Sequence, residues 1–164
     1  MSEWVLPEKE FFESIEYRKE SQSLRVTAAE LSHFVDQDED LACMIGDAKI
    51  DLEEREGLSA TRASEWIEEH CQINEDTLKK TIIGTIKVTR PFLYKFTVGL
   101  KMSVEEANRF FDLCGGPLYE KCLADYICIQ ALKDKDDIQV FIKEFELHTG
   151  MNIHMRRRRS KKSG

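Results

Sequence analysis

The stretch Gln72–Gly84, QINEDTLKKTIIG, decides the fold. Gln72, Ile73 and Asn74 read as a tight turn, the residues after them as a short helix centred on Leu78, and Gly84 as its stop. Just upstream, Thr61–Cys71 (TRASEWIEEHC) has the pattern of a second helix, with Thr61 placed to cap it and Trp66, Ile67 and Cys71 turned inward. Two short helices joined by a tight turn make a helix-turn-helix unit, whose second helix can lie in a DNA major groove. The local charge agrees with that use: from Lys79 to Lys101 there are six basic residues (Lys79, Lys80, Lys87, Arg90, Lys95, Lys101) and no Asp or Glu.

Working outward, Leu41, Ile45, Ala48 and Leu52 recur at helical spacing and predict a helix over Asp38–Glu56, ended by Gly57. Beyond Gly84, Pro91 suits the first turn of a helix running to about Leu100, with Leu93, Phe96 and Leu100 facing the core. Ser103 and Glu106 form a capping box ahead of the apolar face Val104, Ala107, Phe110 and Phe111. Gly115-Gly116-Pro117 is a stop, and two further helices are expected over Tyr119–Lys133 and Asp136–His148, the second carrying Ile138, Phe141, Ile142 and Phe145. Nearer the start, Phe11, Phe12, Ile15 and Tyr17 suggest one or two helical turns, Thr27–Phe34 a short helix, and Asp36–Asp40 a solvated acidic turn. With only three prolines and few alternating β-branched runs, the chain is expected to be all-α. The expected organisation is an acidic, partly helical segment (1–37), a helix-turn-helix core (38–114), a helical pair packed on it (115–150) and a low-complexity basic tail, expected to be disordered (151–164).

Composition bounds the function. With 164 residues, 41% hydrophobic and 34% charged, the chain can bury a core and reads as one domain. The net charge of −7 divides into about −12 over residues 1–80, −1 over 81–155 and +6 over 156–164. An acidic front half repels a polyanion, so any nucleic-acid surface must be local. No apolar run approaches the ~18 residues a membrane span requires, and no signal-peptide pattern opens the chain, so a cytoplasmic location is expected. Five cysteines, odd in number and without a C-x-x-C pair, suit a reducing compartment. His70 and Cys71 point to different helix faces, and Cys122 and Cys128 have no histidine nearby, so no metal is expected. No phosphate loop, nucleophile elbow or H-E-x-x-H occurs, so neither catalysis nor a cofactor is expected.

These residues resemble the lambda-repressor-like (Xre/Cro type) helix-turn-helix family of bacteria and their phages, over roughly Asp38–Cys114. Gln72 stands where the family's turn glycine usually is, Ile73 is the apolar residue after it, and Asn74–Thr77 is the polar opening of the recognition helix. Leu78 matches its buried anchor, Gly84 the loop glycine, Val88-Thr89-Arg90 the loop before the fourth helix, and Leu100–Asn108 the start of the fifth, the most specific part of the match. The helices after Gly116 resemble an extension of some members. The resemblance implies a five-helix core and a DNA-binding transcriptional regulator, acting as a homodimer on spaced half-sites. The chain departs from the pattern at Glu68, where a small alanine is usual, at Thr81, where a large apolar residue is usual, and at Glu75 and Asp76. These last two put carboxylates at the helix end that approaches DNA.

Candidate DNA contacts are Asn74, Thr77, Lys79 and Lys80 on the recognition helix and Lys87 and Arg90 as backbone clamps at the loop. The competing reading of each is a solvated helix face. Glu75 and Asp76 would repel phosphate, although a carboxylate can accept from cytosine N4; they also favour a helix N-terminus by about 0.3–1 kcal/mol each. Arg156–Lys162 reads as an electrostatic arm on nucleic acid, a nuclear localisation patch, or a tail that docks on the chain's own acidic front half. The alternative function, of a different class, is a helix-turn-helix-derived protein–protein interaction module without DNA binding. The surface around Asn74–Lys80 separates the two: a coherent basic face favours DNA, a mixed acidic or apolar face favours protein.

Overall fold

Four polar side chains start four of the helices. Ser59 accepts from the Arg62 N–H at 3.1 Å, Asn74 from Asp76 and Thr77 at 2.8 and 3.3 Å, Thr89 from Phe92 at 3.3 Å, and Ser103 from Glu106 at 3.1 Å. Each satisfies an N–H that the first turn leaves without an intrahelical partner. Glu106 reaches back to the Ser103 N–H at 2.9 Å and completes the capping box. A computed structural model of the chain describes residues 28–154. Its seven helices are α1 (Ala28–Glu56), α2 (Ala60–Cys71), α3 (Glu75–Ile83), α4 (Arg90–Gly99), α5 (Val104–Phe111), α6 (Leu123–Asp134) and α7 (Ile138–Thr149). The described residues are all-α, without a strand. The expected turns around Phe11–Tyr17 and the state of the basic tail lie outside them.

Contacts divide the chain into residues 1–37 and 38–164. Of the first unit, the described part is the opening of α1. In the second, α4 is the central element: seven of its residues are buried, from Phe92 to Gly99, and α2, α5, α6 and α7 all pack on it. Helix α1 contributes Leu41, Ile45 and Leu52, and α7 contributes Ile138, Phe141, Ile142 and Phe145. Tyr94 stands among Phe111, Phe141 and Phe145, its ring centroid 5.7, 6.4 and 5.9 Å from theirs, which joins α4, α5 and α7 in one aromatic cluster.

Several boundaries differ from those expected. Ser59, not Thr61, caps α2, because its hydroxyl sits three residues ahead of the Arg62 N–H. Thr27–Phe34 is not a separate short helix and Asp36–Asp40 is not a turn; Ala28–Glu56 is continuous. Helix α6 begins at Leu123 rather than Tyr119; the Tyr119 N–H donates to the Asp125 carboxylate at 3.0 Å, and a turn from Tyr119 to Cys122 precedes the helix. Trp66 is only partly buried and stacks on His70, with centroids 3.8 Å apart.

Candidate functional site

The turn between α2 and α3 is built from three residues with different tasks. Gln72 takes the left-handed conformation (φ 56°, ψ 43°) and donates its N–H to the Glu68 carbonyl, closing α2. Ile73 is buried and anchors the turn, and Asn74 caps α3. Leu78 is 1% exposed at the centre of α3. Thr81 is buried as well, where a hydroxyl needs a partner, and it donates to the Thr77 carbonyl at 2.7 Å. Gly84 ends α3 at φ 95°, a left-handed conformation that glycine adopts without strain. Behind the turn, Lys95 of α4 donates to the Gln72 carbonyl at 3.3 Å. Glu68 is exposed. The close approach of α2 is made by Cys71, against Gly99 of α4.

The six sequence-derived contacts do not form one surface. The Asn74 side-chain oxygen, Oδ1, is occupied in capping, and Thr77 is half-buried. Lys79 and Lys80 are exposed, but Lys80 pairs with Asp76 at 3.1 Å, one turn back. Lys87 is exposed and lies 3.6 Å from Asp38. Arg90 is a correction to the expected backbone clamp. Its guanidinium is turned inward, donating from Nη1 to the carbonyls of Cys114 (2.6 Å) and Gly116 (2.8 Å) and from Nη2 to Asp125 (2.8 Å), and it lies over the Phe111 ring.

Asp125 is the residue that sequence reasoning missed. Its carboxylate accepts from Arg90, the Tyr94 hydroxyl and the Tyr119 N–H, tying α4, the 112–122 loop and α6 together. The side chains of Arg90 and Asp125 are 14% and 5% exposed. Burial opposes the Arg90 charge, but Asp125 and Tyr94 outweigh it and hold the group above its usual pKa. Burial and the Asp125 hydrogen bond push the Tyr94 phenol well up. The signal was available: Asp125 sits one turn before Cys128 and Ile129 and two before Leu132 on an apolar face, where a carboxylate demands a partner. Thiol chemistry has no foothold in the core. Burial pushes Cys71 up to about 12, and Cys128 is raised in the same way. Among the described residues, no group of His, Cys, Asp and Glu could hold a metal, and no helix is long and apolar enough to cross a membrane.

The exposed side of the turn opens into a groove of about 820 Å³ between α1, α2 and α3. Its floor includes Leu78 and Ile82, and its apolar rim is Ile50 and Ile83, 50% and 66% exposed. Four carboxylates line it (Glu53, Glu68, Glu75, Asp76), against Lys49 and Lys79. Lys49 is itself held by Glu53 at 2.9 Å and the Ala60 carbonyl at 3.0 Å. From Ala63 to Leu78 every Asp, Glu, Lys or Arg is a carboxylate (Glu65, Glu68, Glu69, Glu75, Asp76), and all five are exposed. The face around Asn74–Lys80 is therefore mixed: Glu75 and Asp76 open it, Lys79 and Lys80 follow one turn on, and the exposed Ile83 lies beside them. No protein-family model, curated protein or solved structure matches the chain.

Proposed function

We propose that this chain is a non-enzymatic protein-binding module derived from a helix-turn-helix, on a lambda-repressor-like five-helix core (α1 from Asp38, then α2–α5) extended by α6 and α7. The left-handed Gln72, the Asn74 cap, buried Leu78, left-handed Gly84 and the Ser103–Glu106 capping box support that frame. One observation carries the function: the helix ends that flank the turn bear four exposed carboxylates (Glu68, Glu69, Glu75 and Asp76), and the groove beside them carries the exposed Ile50 and Ile83. A polyanion meets repulsion there, at an end where a groove-reading helix would need donors. A positively charged segment with an apolar stripe meets attraction on both counts. The partner class is therefore a basic, amphipathic protein segment.

DNA binding is the second reading, favoured by exposed Lys79 and Lys80 on α3 and by the basic residues Arg156–Lys162. The test uses the full chain with those six tail residues changed to Ser, so that the tail cannot bind DNA by itself. A helical probe peptide of Leu and Arg should bind this protein, and Ile50→Glu with Ile83→Glu should weaken it at least tenfold without changing Tm. A random duplex should not bind even at low salt. The proposal fails if the duplex binds and Lys79→Ala with Lys80→Ala lowers the salt slope by about two units. Failure of the peptide to bind removes the stated partner class.

A further inference from the structure

The described chain ends beside the turn. After Gly150, Ile153 is buried, and His154 Nδ1 lies 3.1 Å from Lys95 Nζ, the same ammonium that donates to the Gln72 carbonyl at 3.3 Å. Burial and Lys95 hold the His154 pKa below its usual value. Asn74, the α3 cap that lines the groove, is two residues on from Gln72, with Cα atoms no more than about 7.6 Å apart. The eight residues that follow His154 read MRRRRSKK and reach about 26–29 Å when extended. The most basic run in the chain thus begins within easy reach of the acidic groove.

Chemistry matches reach. Four consecutive arginines can lay their aliphatic stems along Ile50, Ile82 and Ile83 while their guanidinium heads meet the carboxylates at the rim. Among the described residues, Glu68 and Glu75 have no ion-pair partner. A second acidic groove, between α6 and α7 and lined by Asp134, Asp136 and Glu144, is the competing host; at about 400 Å³ it has half the volume, and Glu144 there is already paired with His148 at 3.1 Å.

We propose that Arg156–Lys162 docks in the α1–α3 groove of its own chain and competes there with the basic partner segment. The competition rests on the protein-binding reading of the groove; the docking itself does not. A tether this short gives an effective concentration in the millimolar range. Were the tail to bind with a Kd of about 0.1 mM, it would weaken an external segment about tenfold.

The test compares the full chain with a full-length variant carrying Arg156→Ser, Arg157→Ser, Arg158→Ser and Arg159→Ser. In amide and methyl NMR spectra, the Ile50 and Ile83 methyls and the Glu68, Glu75 and Asp76 amides should shift between the two, equally at 20 and 200 μM protein. Raising salt to 0.5 M should remove the difference. The proposal is overturned if those signals do not move, if Asp134, Asp136 and Glu144 move instead, or if the shifts grow with concentration, which marks a second copy's tail. The Leu/Arg probe peptide should bind the variant about tenfold more tightly than the native chain. Equal affinities together with the NMR shifts overturn the competition. A peptide that binds neither protein, with the NMR shifts present, defeats the partner class and leaves the docking standing.

Discussion

Gly99→Ala tests the packing that sets the turn. In an ordinary helix this change stabilises by about 1 kcal/mol, because glycine is the poorer helix former. Gly99 lies within α4 at the crossing with α2, and a methyl there would meet Cys71 Sγ at 2.3 Å, the His70 carbonyl oxygen at 2.5 Å and Cys71 Cα at 2.8 Å. Ordinary contacts lie near 3.5–4.0 Å, so the two helices must separate by about 1 Å, which forfeits a quarter to a half of each dispersion contact between them. Two of the three obstacles are backbone and cannot swing aside. The cost belongs at the upper end of the overpacking range, about 3 kcal/mol, leaving a net loss of about 2 kcal/mol after the propensity gain. Gly46→Ala is the matched control: its methyl meets only Ile82 Cγ2, at 3.4 Å, and should stabilise by up to about 1 kcal/mol. Both changes are read from urea unfolding monitored by circular dichroism. Cys71→Ala with Gly99→Ala should recover only part of the loss, since the His70 carbonyl remains. If Gly99→Ala is neutral or stabilising, α2 and α4 do not cross as closely as described, and the geometry of the turn goes with them.

Asp125→Ala leaves Arg90 and Tyr94 buried without their acceptor and should destabilise by about 3–5 kcal/mol in the same assay; Asp125→Asn, which keeps an acceptor, should lose less. Leu78→Ala should cost about 2–5 kcal/mol, and a change under 0.5 kcal/mol would mean that α3 is rotated from its described register. His154 has a folded pKa below its unfolded one, so the unfolded chain takes up the proton first as pH falls. Its contribution is therefore neutral above pH 6.5 and turns destabilising below that value, levelling off under the folded pKa. An NMR titration should find its midpoint below 6.5, and His154→Gln should flatten Tm between pH 7.5 and 6.

Much of this fold was legible because its signals are local. Asn74, Thr89 and Ser103 precede their helices by the spacing that capping requires, Pro91 sits in a first turn, and Leu78 and the α7 apolar residues keep helical periodicity. The misread boundaries were local competitions between candidates: Ser59 and Thr61 are both capping residues two apart, and only the observed turn selects Ser59. The harder errors concern distant pairs. Arg90 looks like an exposed cation in a basic stretch, and nothing within a helical turn of it reveals a carboxylate 35 residues later. Thr81 is polar by sequence, yet it is buried, because one hydrogen bond to the Thr77 carbonyl satisfies its hydroxyl inside α3.

The groove's character follows from how α3 is started. Glu75 and Asp76 occupy its first turn, where the positive end of the helix dipole favours a carboxylate by about 0.3–1 kcal/mol each. Asp76 adds an ion pair with Lys80, worth a few tenths of a kcal/mol at such exposure. A nine-residue helix is too short to be stable alone, so these terms matter to it. The same two charges neutralise the dipole end that would otherwise attract a phosphate, and the pair with Asp76 restrains one of the two lysines able to replace it. Stability of α3 and affinity for a polyanion are thus set by the same residues with opposite sign. What that arrangement leaves at the start of α3 is a pair of exposed carboxylates beside the exposed Ile83, the feature on which the proposed basic, amphipathic partner rests.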